Sequence, residues 1–176
     1  MIIKLNQFIL EKVSESQEII AYHSSHHDNI TDFNFNEYYS NPGSSTRIDG
    51  IFFSNVPQHS WGDTLYKVKI ITKNPVIYDL RESKFDSLSI QEAFDALLRG
   101  ETYYIKNDLM NENENYEEME EDDIWDVVES WRKNLDLIII NGENYAQHNT
   151  EYIVPNSHYN THSAKIIILE KMNRNK

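Results

Sequence analysis

Three short stretches of this 176-residue chain gather residue types that bind and react, although they stand far apart along it. Tyr22-His23-Ser24-Ser25 sets an imidazole and two hydroxyls at the end of an apolar run. Asp49-Gly50-Ile51-Phe52-Phe53-Ser54, followed by Ser60-Trp61-Gly62, offers aromatic faces beside glycines. Thr150-Glu151-Tyr152-Ile153-Val154 sets a carboxylate among hydrophobic residues. Commoner chemistries find less support. The absence of cysteine excludes disulfides, thiolate nucleophiles and Cys-ligated zinc. Of the seven histidines, His23, His26 and His27 cluster, while His158 and His162 would share a face only on a helix, which Pro155, Asn156, Ser157 and Asn160 oppose. With no HExxH pattern beside them, no metal site is expected. No G-x-S-x-G turn supports a serine nucleophile. With five glycines in all, neither a P-loop nor a dinucleotide fingerprint is present.

The elements that must position these residues are mostly strands. Ile19–His23, Ile51–Ser54, Leu65–Thr72, Val76–Tyr78, Leu137–Ile140, Tyr152–Val154 and Ile166–Leu169 are rich in Ile, Val, Tyr and Phe. Leu65–Ile70 alternates, as a half-buried strand does. Leu137–Ile140 and Ile166–Leu169 do not, and are expected to be central strands covered on both faces. Helices are fewer. Ser89-Ile90-Gln91-Glu92 reads as a capping box ahead of Ala93, Phe94, Leu97 and Leu98, with Gly100 as the stop. Asp123–Lys133 carries Ile124, Val127, Val128 and Trp131 at helical spacing, and Leu5–Val13 reads as a short N-terminal helix. Strands outnumber helices without alternating regularly with them, which gives an α+β domain and not a doubly wound sheet.

In order and spacing, the three stretches resemble the ADP-ribosyltransferase family. They are most similar to the branch shared by poly(ADP-ribose) polymerases, diphtheria-type toxins and the transferase domains of phage polyvalent proteins. That branch reads Tyr-His-Gly-Ser/Thr, then Gly-Ile-Tyr-Phe with a nearby aromatic-Gly, then Glu-Tyr-Ile-Val. The likeness runs from about Ile19 to Leu169. It implies two packed, mainly antiparallel sheets around an NAD cleft, with peripheral helices. His23 would match the histidine that bonds the adenosine ribose of NAD, and Ser25 the hydroxyl residue that holds the nicotinamide amide. Ser24 stands where the family has glycine, so a side chain crowds backbone groups that the family uses. Phe52 stands for the family's tyrosine and lacks its hydroxyl. Trp61 matches the second aromatic that stacks on nicotinamide, and Glu151 the catalytic glutamate. Arg47 is a candidate for the NAD phosphates, since few other cations lie near these motifs. Arginine-modifying transferases carry a second glutamate two residues before the catalytic one. Here that place is Asn149, so a neutral acceptor side chain is expected instead of arginine.

The residue types suit that chemistry. Breaking the bond between nicotinamide and ribose develops positive charge on the sugar, which a carboxylate beside the ribose 2′-hydroxyl stabilises. Two aromatic faces suit a flat cationic ring. The nucleophile comes from the acceptor, so the chain needs none of its own. Taken singly, each residue also has a plain structural reading. His23 alone reads equally well as a strand-end packing residue, and Trp61 as packing beside Gly62. One of Phe52 and Phe53 must be core, because they alternate faces. Glu151 would face solvent if its strand were an edge.

Composition sets the remaining expectations. Residues 1–176 suit a single domain able to bury a core. The formal charge of −13 argues against nucleic-acid or anionic-membrane binding. Eight of the twelve residues from Glu112 to Asp123 are acidic, and without them the charge would be −5. This run reads as a solvated acidic insertion, at about 107–123, with a lid or a binding tail as the alternatives. No stretch has the length of a signal peptide core or a membrane span, which makes a cytoplasmic protein the default. The many Asn, Lys and Ile residues fit a toxin-like bacterial or phage effector; the resemblance implies a protein acceptor, and the acidic charge one with a basic surface. An NAD glycohydrolase and a non-catalytic acidic binding module are the alternative functions.

Overall fold

The computed structural model describes residues 16–33, 48–57, 62–80, 87–100, 133–142, 149–156 and 163–173. Every strand expected from the apolar runs forms: β1 (Gln17–Ser25), β2 (Gly50–Ser54), β3 (Thr64–Thr72), β4 (Pro75–Asp79), β5 (Leu137–Asn141), β6 (Thr150–Pro155) and β7 (Lys165–Asn173). They hydrogen-bond into one seven-stranded mixed sheet in the order β4-β5-β6-β2-β1-β3-β7. Only β4 and β5 run parallel; the other neighbours are antiparallel. A parallel pair needs a crossover. Helix α1 (Ser87–Arg99) lies in the crossover from β4 to β5.

Helix α1 forms because its apolar residues recur at helical spacing, and it buries that stripe. Phe94, Leu97 and Leu98 are at most 3% exposed and pack with Ile138 and Ile140 of β5 and Ile153 of β6. Arg99 pairs with Asp95 at 2.8 Å in the last turn, where a cation also meets the negative end of the helix dipole. Gly100 ends the helix at φ 82°, donating its N–H to the Leu97 carbonyl at 2.9 Å, a conformation that favours glycine. The helix starts at Ser87, earlier than the capping box implied. Ser89 therefore lies in the first turn and is not the cap.

The core has two layers because the strands have two faces. On the α1 face lie Val76, Ile138, Ile140 and Ile153. On the opposite face Ala21, Ile51, Phe53, Tyr66, Val68, Ile70, Leu137, Ile139 and Val154 join Ile30, Phe33 and Ala164. Strand β5 feeds both layers, which is why Leu137–Ile140 shows no alternation and is wholly buried. In β3, Tyr66, Val68, Ile70 and Thr72 are buried and Lys67, Lys69 and Ile71 are not, the alternation expected of a half-covered strand. At the β3–β4 turn the buried Asp136 carboxylate accepts from Thr72 Oγ1, Lys73 N–H (2.7 Å) and Asn74 N–H (3.1 Å). Three donors satisfy a charge that would otherwise be costly to bury.

Two expectations need correction. Strand β7 is not central: it ends the sheet beside β3, and Leu169 is 47% exposed. Its register with β3 shifts between Lys67 and Val68, and one extra β7 residue is accommodated there as a bulge. The strands also form one continuous sheet and not two separate packed ones. Within it lies a seam. β1 pairs with β3 all the way from Gln17↔Thr72 to Ser25↔Thr64, yet meets β2 in register only at Tyr22↔Ser54. The halves β4-β5-β6-β2 and β1-β3-β7 are thus joined over a single pair. No helix among the described residues is long and apolar enough to cross a membrane. The acidic run, the helix expected at Leu5–Val13 and, apart from Lys133, the one at Asp123–Lys133 lie outside the described residues.

Candidate functional site

The register brings the reactive stretches to one place. Tyr22 of β1 pairs with Ser54 of β2, and Ser54 pairs with Glu151 of β6. Residues 22, 54 and 151 therefore lie side by side across three neighbouring strands, with Glu151 about 10 Å from Tyr22 by Cα spacing. Strand β6 lies between β5 and β2, so Glu151 is not on an edge strand. Its side chain is half-buried and accepts a hydrogen bond at Oε2 from Gln91 Nε2 of α1 at 3.2 Å. Gln91 itself is 2% exposed.

The start of β6 is clamped from both sides. Thr150 donates its N–H to Asn55 Oδ1 (3.0 Å), and Asn55 N–H donates to the Thr150 carbonyl (3.1 Å). Thr150 Oγ1 donates to Asn141 Oδ1 (3.0 Å). Two asparagines, one at the end of β5 and one just past β2, thus extend the ladder by a side chain each and fix the backbone beside Glu151. Asn149, in the place expected to set acceptor chemistry, is 6% exposed.

At the seam, the His23 side chain takes over where main-chain pairing lapses. Its Nδ1 lies 2.8 Å from the Phe52 carbonyl, which can only accept, so Nδ1 carries the proton. The ring meets Phe33 edge-on (centroids 5.0 Å apart, 81°) and Phe53 at a tilt (5.6 Å, 57°). Burial in this apolar setting holds the His23 pKa below its ordinary value, opposed by the bond to the Phe52 carbonyl. The ring is neutral at pH 7, and Nε2 is then an acceptor. Among the described residues nothing donates to it.

Both strands that meet at the seam end in the same device. Ser25 Oγ accepts the His27 N–H at 3.0 Å, and Ser54 Oγ accepts the Val56 N–H at 3.2 Å, so each hydroxyl turns its chain away from the sheet. Beyond β1, the buried Tyr66 hydroxyl donates to the His27 carbonyl (2.9 Å) and accepts from Ile30 N–H (3.1 Å). Ser24 Oγ donates to the Gly62 carbonyl at 3.3 Å. Gly62 approaches β1 so closely that a Cβ there would meet Ser25 C and O at 2.1 Å and His26 N at 2.5 Å. The glycine of the Trp61-Gly62 pair is thereby explained by backbone packing against the Ser25–His26 peptide. The Ser24 side chain, which replaces a glycine of the resembled motif, ties β1 to that loop.

Phe52 is half-buried and packs against the α1-side core, while Phe53 is 2% exposed in the opposite layer, so the two divide as their alternation requires. Phe52 pairs with Ile153 and shares the Glu151 face, whereas the His23 ring packs with Phe33 and Phe53 of the other layer. The His23 ring and the Glu151 carboxylate therefore belong to opposite faces of the sheet, on strands separated by β2. Register places Glu151 beside Ser54 and two strands from Tyr22, whereas the His23 ring lies in the opposite layer and Ser25 three residues further along β1; Trp61 and Arg47 lie outside the described residues. Among the described residues no cluster of three or more His, Asp or Glu could hold a metal ion.

Gln91, Asn55 and Asn141 escaped the sequence reading. Gln91 left a signal: it lies three residues before Phe94 and seven before Leu98, a lone amide within the apolar stripe of α1. Asn55 and Asn141 leave none that distinguishes them from ordinary strand-end residues. Comparison of the chain with protein-family models, curated proteins and solved structures finds no match.

Proposed function

We propose that this protein is an ADP-ribosyltransferase, moving ADP-ribose from NAD to a protein acceptor. The observation that carries this reading is the register row Tyr22↔Ser54↔Glu151. It sets Glu151 beside the end of β2 and two strands from Tyr22, in the row of the register pair that joins β1 to β2.

In this reading NAD lies across the seam. Neutral His23 offers Nε2 to a ribose hydroxyl, which donates to it. The ends of β1 and the Gly62 backbone hold the nicotinamide amide, with Ser25 contributing its hydroxyl, Phe52 and Trp61 flanking the ring, and Arg47 facing the phosphates. Glu151 sits beside the nicotinamide ribose. As the C1′–N bond breaks, its electron pair neutralises the pyridinium nitrogen and positive charge grows on the sugar, where the carboxylate stabilises it. A lone pair of the acceptor then bonds C1′ and its proton passes to water. With Asn149 before the motif, the acceptor side chain is neutral and not arginine. The net acidic charge favours a basic acceptor surface in the cytoplasm of a bacterial or host cell.

Incubation with labelled NAD and a cell lysate tests this directly. Label appearing on a discrete protein supports transfer. Nicotinamide release with no labelled protein would make the chain an NAD glycohydrolase. Neither NAD binding nor NAD loss would leave a non-catalytic acidic binding module.

A further inference from the structure

We infer that Gln91 of α1 is the positioning residue for Glu151, setting the carboxylate against the sugar from the helix that covers the same face of the sheet; this rests on the transferase reading above. Gln91 Nε2 donates to Glu151 Oε2 at 3.2 Å, and the amide is 2% exposed. The helix that carries it is fixed by Phe94, Leu97 and Leu98, all at most 3% exposed, so the donor cannot drift without repacking the core. A glutamate reaching out from a strand has freely rotating χ angles. A buried amide bonded to one oxygen selects among those rotamers and leaves the charge unchanged. That is what stabilising a developing cation requires: a full negative charge, already aimed. Lysine or arginine in the same place would aim the carboxylate equally well but neutralise it.

The choice of an amide is informative because a buried polar group on an apolar helix stripe needs a reason. Leucine at 91 would complete the stripe with Phe94 and Leu98. The register neighbours of Glu151, Ile140 and Ser54, carry no charge. On α1, Glu92 is exposed and Asp95 pairs with Arg99 at 2.8 Å. Gln91 of that helix donates to Glu151.

The full chain carrying Gln91→Met or Gln91→Glu tests this by steady-state nicotinamide release from NAD. Gln91→Met keeps the length of the side chain without the donor. Its kcat should fall on the order of 10- to 10²-fold, as for a misaimed catalytic group, with KM for NAD within about 2-fold. Gln91→Glu sets two carboxyls together, which share a proton and titrate as a pair. While the pair holds one proton, the new carboxylic acid can still donate to Glu151. As pH rises and both ionise, they repel. Its rate should therefore fall with rising pH through a titration that the unsubstituted protein lacks. A side chain that merely fills space would not couple turnover to a new titration. If the parent protein releases nicotinamide and Glu151→Gln abolishes it, yet Gln91→Met keeps kcat and Gln91→Glu shows a parallel pH profile, the positioning role is overturned and the transferase reading stands. If the parent protein releases no nicotinamide, that reading fails and takes this inference with it.

Discussion

Replacing Gly62 by alanine should separate the Trp61-Gly62 loop from the end of β1, and the size of the effect follows from the packing. The added Cβ would fall 2.1 Å from both Ser25 C and Ser25 O, and 2.5 Å from His26 N. All three are main-chain atoms, so no side chain can rotate to relieve the clash. The two segments must move apart by more than an ångström. Overpacking of this kind costs about 1–3 kcal/mol. The same movement stretches the Ser24 Oγ–Gly62 carbonyl bond, already 3.3 Å long, and forfeits about 1 kcal/mol more. Gly62→Ala should therefore lose about 2–4 kcal/mol in urea unfolding and bind NAD more weakly than the parent protein. Gly100→Ala is the control. There φ is 82°, so the backbone is strained, but the site lies at the C-terminal end of α1. It should lose about 1–2 kcal/mol while NAD affinity is retained. A Gly62→Ala protein as stable as its parent, with the same NAD affinity, would refute the close approach and its place in the site.

Other consequences can be measured separately. Because the His23 pKa is held below its ordinary value by burial, the unfolded chain binds its proton first as pH falls. The neutral ring stabilises the fold fully above about pH 6.5, and this contribution is lost as pH drops toward the lowered value. The melting temperature of the parent should fall more steeply below pH 6.5 than that of His23→Gln, while NAD binding by the folded protein should hold until the lowered His23 pKa is reached and the ring itself gains a proton; equal slopes would count against a buried, neutral His23. Tyr66→Phe removes the hydroxyl that serves both His27 and Ile30, and should cost about 2 kcal/mol in denaturant unfolding with faster amide exchange at Ile30. Trp61→Ala should weaken NAD binding by about 1–2 kcal/mol in calorimetry if one stacking face is lost.

Local composition made the strands legible. Val, Ile, Tyr and Phe runs predict pleated, half-buried backbone, and all seven runs formed strands. Leu137–Ile140 revealed its double burial because both faces must be apolar there. The same logic misplaced β7, since Ile166–Leu169 favours a strand equally at an edge, where the bulge at Lys67/Val68 alters which residues are covered. Pairing partners are a long-range property, so the single sheet and the thin β1–β2 seam were not visible in any local window. His23, Ser24, Ser25, Phe52 and Glu151 stand out in the sequence only as an ordered set, because each alone has a structural use; the register joins Glu151 to Ser54 and Tyr22 and not to His23. Gln91 was hidden by a local pattern: Ser89 and Glu92 look like a capping box, which drew the helix start too late and left the buried face of residue 91 unnoticed.

Nicotinamide release from NAD by the purified chain, measured beside the Glu151→Gln variant and with NAD binding determined for both, tests the central claim most directly. The substitution keeps the shape and one acceptor oxygen but removes the charge. The transferase account predicts release by the parent protein, a rate lower by on the order of 10²–10³-fold in Glu151→Gln, and NAD affinity nearly unchanged. Equal rates in the two proteins, or no release by either, would contradict it.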